Sequence, residues 1–396
     1  MSPPQPSLSI RSLHIARSLR HVGDVEVVLV DSLCEGLPAA DLLSEEFKCF
    51  DGLTVQAESR GLSARLRRRL DARYALPHGL GVSAGGERQF LGLLSRFDLV
   101  WVFKLRTANV FRFSRWPNSV LDVDDLPSGV YETLARSDRP LLGRLGAWIE
   151  SHNWQRRERL LGERFSVIAV CSDTDAAKLN VSVPVHVIPN GSHRTAQVAP
   201  RRQVTPPRVG FIGLFDHEPN IDGVRWFMRH CWPRVASEVP GARFRLVGRR
   251  GDTVFADTRP DVDVLGWIPD VDAEIATWSL MVVPLFVGGG TRVKIAEGFS
   301  QKCPIVSTTV GAYGYEVESG QDLFLSDDAE GFSAACVTLL RDPSFGDAMA
   351  ERAHRKYIQR WTWDAIAPRV WAAAEDGLRA RSANASSATH ANQRMG

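Results

Sequence analysis

The stretch "LMVVPLFVGGGTRVKIAEGFSQKCPIVST", residues 280–308, decides the fold. Its first four residues are apolar and rich in β-branched side chains, which suits a strand covered on both faces. Gly288, Gly289 and Gly290 then make a turn without side chains, and Thr291 stands where a hydroxyl can cap the helix that follows. A second short apolar run, "PIVST" (304–308), closes the unit. Strand, helix and strand in this order are the βαβ element of a parallel sheet.

The alternation continues outward. Ahead of residue 280 come "RVGFIG" (208–213), "RFRLVG" (243–248) and "VDVLG" (262–266). An earlier series holds "VEVVLV" (25–30), "LTVQA" (53–57), "DLVWVF" (98–103), "SVLDVD" (119–124), "FSVIAV" (165–170) and "VHVIP" (185–189). Two such series imply two doubly wound α/β domains. The stretch "PNGSHRTAQVAPRRQVTPPR" (189–208) is polar, aperiodic and ends in a double proline, so it reads as the linker. The expected organisation is a first domain over 1–195, a second over 206–360, a terminal helix over 361–380 and a small, polar, unordered tail over 381–396. A helical pattern, "IRSLHIARSLRHVG", begins at Ile10 with no strand ahead of it, so the first strand of the first domain is expected to be missing.

Composition narrows the class. A chain of 396 residues with 44% hydrophobic and 24% charged residues suits a globular protein with two cores. The net charge of +2 argues against a general nucleic-acid binder. Cys34, Cys49, Cys171, Cys231, Cys303 and Cys336 are scattered, with no CxxC pair and no Cys/His cluster, which points to a reducing compartment and no metal site. The opening "MSPPQPSLSIRS" has no apolar leader segment, and no apolar run is long enough to span a bilayer. A cytoplasmic protein is expected.

Four places carry candidate chemistry. In "GGGTRVKIAE" (288–297), bare N–H groups and a helix N-terminus make a seat for phosphate oxygens. Lys294 can reach a phosphate, and the carboxylate of Glu297 can accept two hydrogen bonds from a vicinal diol such as a ribose. Together they suggest a nucleotide; a surface Lys294–Glu297 ion pair is the plainer alternative. In "GFIGLFDHEPN" (210–220), Gly213 allows close backbone approach ahead of a helix N-terminus, or is a plain tight turn. In "VLGWIPD" (264–270), Gly266, Trp267 and Ile268 could wall a flat base, though Trp267 could equally be packing. Arg249 is a phosphate partner or a solvated arginine.

The order of these motifs resembles the C-terminal domain of group 1 glycosyltransferases, the retaining enzymes of glycosyltransferase family four. The resemblance is close from residue 208 to about 365, and looser over 9–191, where it rests on "SVLDVDDLPS", "RRERLLGERFSVIAVCSDTDAAKL" and "VIPNG". It implies the GT-B fold: two Rossmann-like domains facing across a cleft, with the last helix crossing back to the first. It also implies a nucleotide-diphosphate sugar as co-substrate, with no cofactor and no metal. Glu297 matches the family glutamate that bonds the donor ribose, Gly288 to Thr291 match the loop before it, and Gly266 to Ile268 match the segment near the base. Two positions depart. Gly289 stands where many members carry a first glutamate, and Asn220 stands where many carry a lysine for the diphosphate. Arg292 and Lys294 are expected to take over that charge.

On the acceptor side the resemblance points to Arg11, His14, Asp124 and Asp125. Adjacent carboxylates in an extended segment point to opposite sides, so Asp124 and Asp125 are not expected to pair. One could accept a hydrogen bond from an acceptor hydroxyl, or could cap a helix. No single catalytic base is assigned; Asp124, Asp125 and Lys294 are the candidates. Residues 60–73 cluster arginines around Leu62, Leu66 and Leu70, which suits either a solvated helix or peripheral contact with anionic lipid on the inner face of a membrane. The function implied is transfer of a sugar from a nucleotide-diphosphate sugar to a hydroxyl of a polysaccharide, glycolipid or lipid-linked acceptor. The alternatives are a degenerate binding or assembly subunit and a nucleotide-sugar epimerase of the same architecture.

Overall fold

The computed structural model describes residues 10–393 apart from 32–45, 58–60, 75, 77–78, 138, 193–197, 199–200, 202–203 and 257–258. Cys34, Arg60 and much of the expected linker therefore lie outside the described residues. The chain divides into two compact units. The first gathers residues 1–128, 148–189 and 366–396; the second gathers 129–147 and 190–365.

The second unit is a six-stranded, wholly parallel sheet of β8 (Arg208–Ile212), β9 (Arg243–Val247), β10 (Val262–Gly266), β11 (Leu280–Val283), β12 (Ile305–Ser307) and β13 (Phe324–Leu325). The strand order is β10-β9-β8-β11-β12-β13. This is the doubly wound order, which runs outward one way from β8 and then the other way from β11. The two directions are physically enforced: Val209, Phe211, Leu280 and Val282 pack on one side with Phe227, Trp232, Phe332 and Met349. Met281 and Val283 pack on the other with Ile295, Phe299, Tyr357 and Trp361. Alternate residues of one strand thus enter opposite cores, as a two-faced strand requires.

In the first unit β4 (Val100–Phe103), β5 (Ser119–Asp124), β6 (Val167–Val170) and β7 (Val185–Val187) form a parallel sheet in that order. A separate sheet holds β1 (Glu26–Asp31), β2 (Lys48–Ala57) and β3 (Leu80–Val82). Here β1 and β2 are parallel, but β3 runs antiparallel to β2. A single sheet was expected; among the described residues β1 pairs only with β2 and β4 only with β5. The short β3 and β13 carry too few residues for an alternation signal, and the sequence reading missed both.

The final helix, Trp363–Gln393, runs further than expected. Residues 381–393 contain neither Gly nor Pro and are rich in Ala, so nothing in them stops a helix already begun. Its residues from Ile366 on belong to the first unit. Trp371 stacks on His21 at 4.0 Å and donates its indole N–H to Ser18 O at 2.9 Å. His186 and Asp376 share a 2.8 Å hydrogen bond.

Candidate donor site at the switch point of the second sheet

Because β8 and β11 are neighbours that lead into opposite halves of the sheet, the loops at their carboxyl ends border one crevice. Those loops are the Gly213 segment and the 288–292 glycine loop. The Gly213 segment is tied sideways: its N–H donates to Val247 O at 3.0 Å, and Gly248 N–H donates to Gly266 O at 2.8 Å. Gly213, Gly248 and Gly266 thus form a stitched rim along β8, β9 and β10.

Lys294 joins the two loops. It lies on the helix Val293–Ser300, and its Nζ donates to Asn220 Oδ1 at 2.9 Å and sits 4.1 Å from the centre of the Phe211 ring. Asn220 donates in turn to Leu214 O at 2.8 Å. A Cβ placed on Gly213 would come within 3.0 Å of the Lys294 ammonium. A lysine from the helix after β11 thus lies beside the asparagine at position 220. The Lys294 ammonium donates to a neutral amide, and the charge of Glu297 acts on it as well. Burial, with Arg292 nearby and against the pull of Glu297, pushes Lys294 down to about 7. His217, on the same rim, is likewise lowered by burial, Arg292 and Lys294.

Thr291 does not cap the helix as expected. The helix begins at Val293 with Arg292 in the extended cap position and no side-chain cap bond. One residue too early for that role, Thr291 is buried, and its Oγ1 has no hydrogen-bond partner among the described residues. A buried hydroxyl without a partner is costly unless something docks against it. Arg292 folds back on the loop: its Nη1 bonds Gly289 O, while its own carbonyl accepts from Tyr315 Oη at 2.8 Å. Gly288 has φ 138°, and a Cβ there would lie 2.3 Å from Arg292 Nη2, so only glycine serves. Gly290 has φ 63°.

The sequence reading missed Thr133. It lies on the helix Pro127–Arg136, within the second unit, and its hydroxyl accepts the Gly288 N–H at 3.0 Å. One of the expected bare donors is thus already held, and a residue so distant in sequence gave no pattern to detect. Arg249 is also engaged, with its Nη2 2.8 Å from Asp216, which holds Arg250 as well. Trp267 is about half exposed, Ile268 is packed against the core, and Glu297 is half-buried.

In the first unit, the acceptor-side residues collect at the end of β5. Arg11 is buried; its Nη2 meets Asp122 Oδ1 at 2.8 Å, and its Nη1 donates to Ile188 O at 2.7 Å. His14 lies one turn along the same helix, half-buried. Asp124 adopts φ 64°, at a register shift in the β5–β6 ladder. That left-handed residue breaks the alternation of an extended strand. Contrary to the expectation of opposed carboxylates, Asp124 and Asp125 come together with Cys171, their ligand atoms within 4.8 Å of one another. Lys104 Nζ lies 3.5 Å from Asp124, and burial raises the Cys171 thiol well above its usual range.

With this geometry in place, known proteins give the comparison. The model of a family described as glycosyl transferases, group 1, matches residues 206–342. Those residues are thus similar to a group 1 glycosyltransferase domain. The matched span begins at the entry to β8 and ends after β13, so it contains the whole crevice. No curated protein matches the chain by sequence. Solved structures share the fold. Sucrose-phosphate synthase from Thermosynechococcus elongatus has a TM-score of 0.63 and 15% identity, covering 92% of each chain. HepE of Anabaena, in complex with UDP-glucose, gives 0.60 and 14%, over 93% of this chain and 96% of that one. WaaG, a glycosyltransferase involved in lipopolysaccharide biosynthesis, gives 0.56 and 13%, over 94% and 97%. TarM matches 65% of this chain, which spans 50% of TarM's length (TM-score 0.50, 13% identity). At these identities the likeness is one of fold: the chain is an α/β protein of the GT-B glycosyltransferase fold.

Proposed function

We propose that this protein transfers a sugar, with retention of configuration, from a nucleotide-diphosphate sugar to a hydroxyl of a glycolipid or polysaccharide acceptor, with no metal required. The observation that carries this reading is the meeting of Gly213, Asn220 and Lys294 beneath the glycine loop, beside the partnerless Thr291 hydroxyl. Two backbone loops, a cation and a hydroxyl at the carboxyl ends of parallel strands suit a diphosphate. Glu297, one turn further on, is assigned to the ribose, and the rim at Gly266, Trp267 and Ile268 to the base. HepE, whose structure holds UDP-glucose, supports a nucleotide-sugar donor, and WaaG's role in lipopolysaccharide biosynthesis supports a glycolipid acceptor. Lys294 stabilises the diphosphate as it leaves, which is the step where charge develops.

The reading extends to peripheral contact, from the cytoplasmic side, between residues 60–73 and an anionic membrane. Among the described residues no helix is long and apolar enough to cross one. On the helix Leu62–Leu70, Leu62 is 86%, Leu66 59% and Leu70 63% exposed. The rival reading, a binding subunit without turnover, draws on Gly289 and Asn220. The experiment is incubation with a panel of nucleotide sugars and lipid-linked acceptors. Nucleoside diphosphate release that requires acceptor is the expected result; donor binding without release would turn the reading to the subunit.

A further inference from the structure

Asp252 stands beside the rim assigned to the base. Gly266, at the end of β10, has φ 63°, and the three atoms nearest to where a side chain would begin there all belong to Asp252: Cγ at 3.6 Å, Cβ at 3.7 Å and Oδ1 at 3.8 Å. Asp252 lies on the short helix Gly251–Val254 that follows β9, and it is exposed. Its Oδ1 accepts the N–H of the next residue, Thr253, at 3.1 Å, and its Oδ2 has no partner among the described residues. Other carboxylates beyond β8 and β10 are engaged. Asp216 holds Arg249 and Arg250, Asp270 caps its own helix by accepting from Ala273 N–H at 2.9 Å, and Asp272 accepts from Gln301 Nε2 at 3.0 Å.

The backbone next to it is open as well. Trp267 and Ile268 lie between β10 and the helix Val271–Ile275, and their N–H groups make no hydrogen bond among the described residues. An acceptor-only carboxylate and backbone donors thus border the same rim. That combination chooses among bases. Of the common ones, guanine alone offers two adjacent donors, N1–H and the N2 amino group, with O6 beside them to accept from a backbone N–H. Uracil and thymine offer one N–H between two carbonyl oxygens, so a carboxylate oxygen would face a carbonyl oxygen. Adenine and cytosine offer an amino group next to a ring-nitrogen lone pair, with the same repulsion.

We propose that Asp252 reads guanine, accepting from N1–H and the N2 amino group, so that the donor is a guanosine diphosphate sugar. This assignment rests on the proposed placing of the base at Gly266, Trp267 and Ile268, and it names which base. Oδ2 is open, and Oδ1 keeps a second lone pair beside the bond from Thr253, so the carboxylate has the two acceptors that guanine needs.

The test is calorimetric titration of the full chain with GDP, UDP, ADP, CDP and inosine diphosphate, the last being GDP without its N2 amino group. Wild type should bind GDP about thirtyfold more tightly than UDP, and inosine diphosphate about tenfold more weakly than GDP. Asp252→Ala, at an exposed position, should lose both preferences and bind GDP, inosine diphosphate and UDP within about threefold of one another. Asp252→Asn keeps the shape but turns one acceptor into a donor, and should lose the preference for GDP too. Lys294→Met should weaken all five alike, because the diphosphate is common to them. UDP, ADP or CDP binding as tightly as GDP in wild type would overturn the guanine assignment and leave the nucleotide-sugar reading standing. A preference for GDP that survives in Asp252→Ala would overturn Asp252 as its reader. Binding of none of the diphosphates would overturn both, the failure then lying in the donor site itself.

Discussion

Two charged groups stand at the carboxyl ends of parallel strands, one in each unit, and they use their charge differently. At the end of β5, Arg11 is closed in by Asp122 and by the carbonyls of Ile188 and Pro189, so its charge is consumed in holding a helix to the sheet. At the ends of β8 and β11, the Lys294 ammonium bonds a neutral amide and faces an aromatic ring, with the charge of Glu297 acting on it as well. Burial then lowers it to about 7. A cation hydrogen-bonded to a neutral amide at a crevice is available to an anionic ligand; a cation whose donors are taken up by a buried carboxylate is part of the fold.

The largest expected effect tests the closed group. Arg11→Ala leaves the Asp122 carboxylate buried and unmatched, and should cost about 3–5 kcal/mol in urea unfolding. A loss under about 1 kcal/mol with acceptor turnover abolished would move Arg11 from the fold to the acceptor site. Next, Glu297→Ala should weaken donor binding by well over tenfold, roughly 1.5–3 kcal/mol, without affecting stability to that degree. Unchanged affinity by calorimetry would remove Glu297 from the ribose contact. The smallest effect concerns Thr133. Thr133→Val keeps the side-chain shape but frees the Gly288 N–H, and should raise the KM for donor about fivefold, near 1 kcal/mol, with little change in kcat. A kcat effect instead would mean that the helix Pro127–Arg136 acts in the chemical step.

The same contrast explains what the sequence reveals. The second unit is legible because β8, β9 and β10 are short runs that end at a glycine and β11 is wholly apolar, and because Gly213, Lys294 and Glu297 lie at fixed distances from strand ends. Partnership is not legible. Spacing places Arg11 and Lys294 alike at promising positions, and only the fold shows that Asp122 meets one and Asn220 the other. Thr291 suits a cap by residue type, yet the helix starts two residues later. Asp124 was read as part of a regular strand because nothing local announces a left-handed aspartate. Thr133 could not be found at all, since its link to Gly288 spans 155 residues.

The pH dependence of binding tests most directly whether Lys294 is the cation that receives the donor diphosphate. The groups around it are Arg292, Glu297 and His217, and the last is lowered and so neutral above its ordinary range. In the free protein Lys294 is charged below pH about 7 and neutral above it. A bound diphosphate favours the charged form, so binding above that pH takes up a proton. Calorimetric titration of a nucleotide sugar should therefore show affinity that is flat below about pH 7 and weakens by up to about tenfold per unit above it. Lys294→Met should bind more weakly at low pH and lose that slope. The same affinity and the same pH profile in wild type and Lys294→Met would contradict the account.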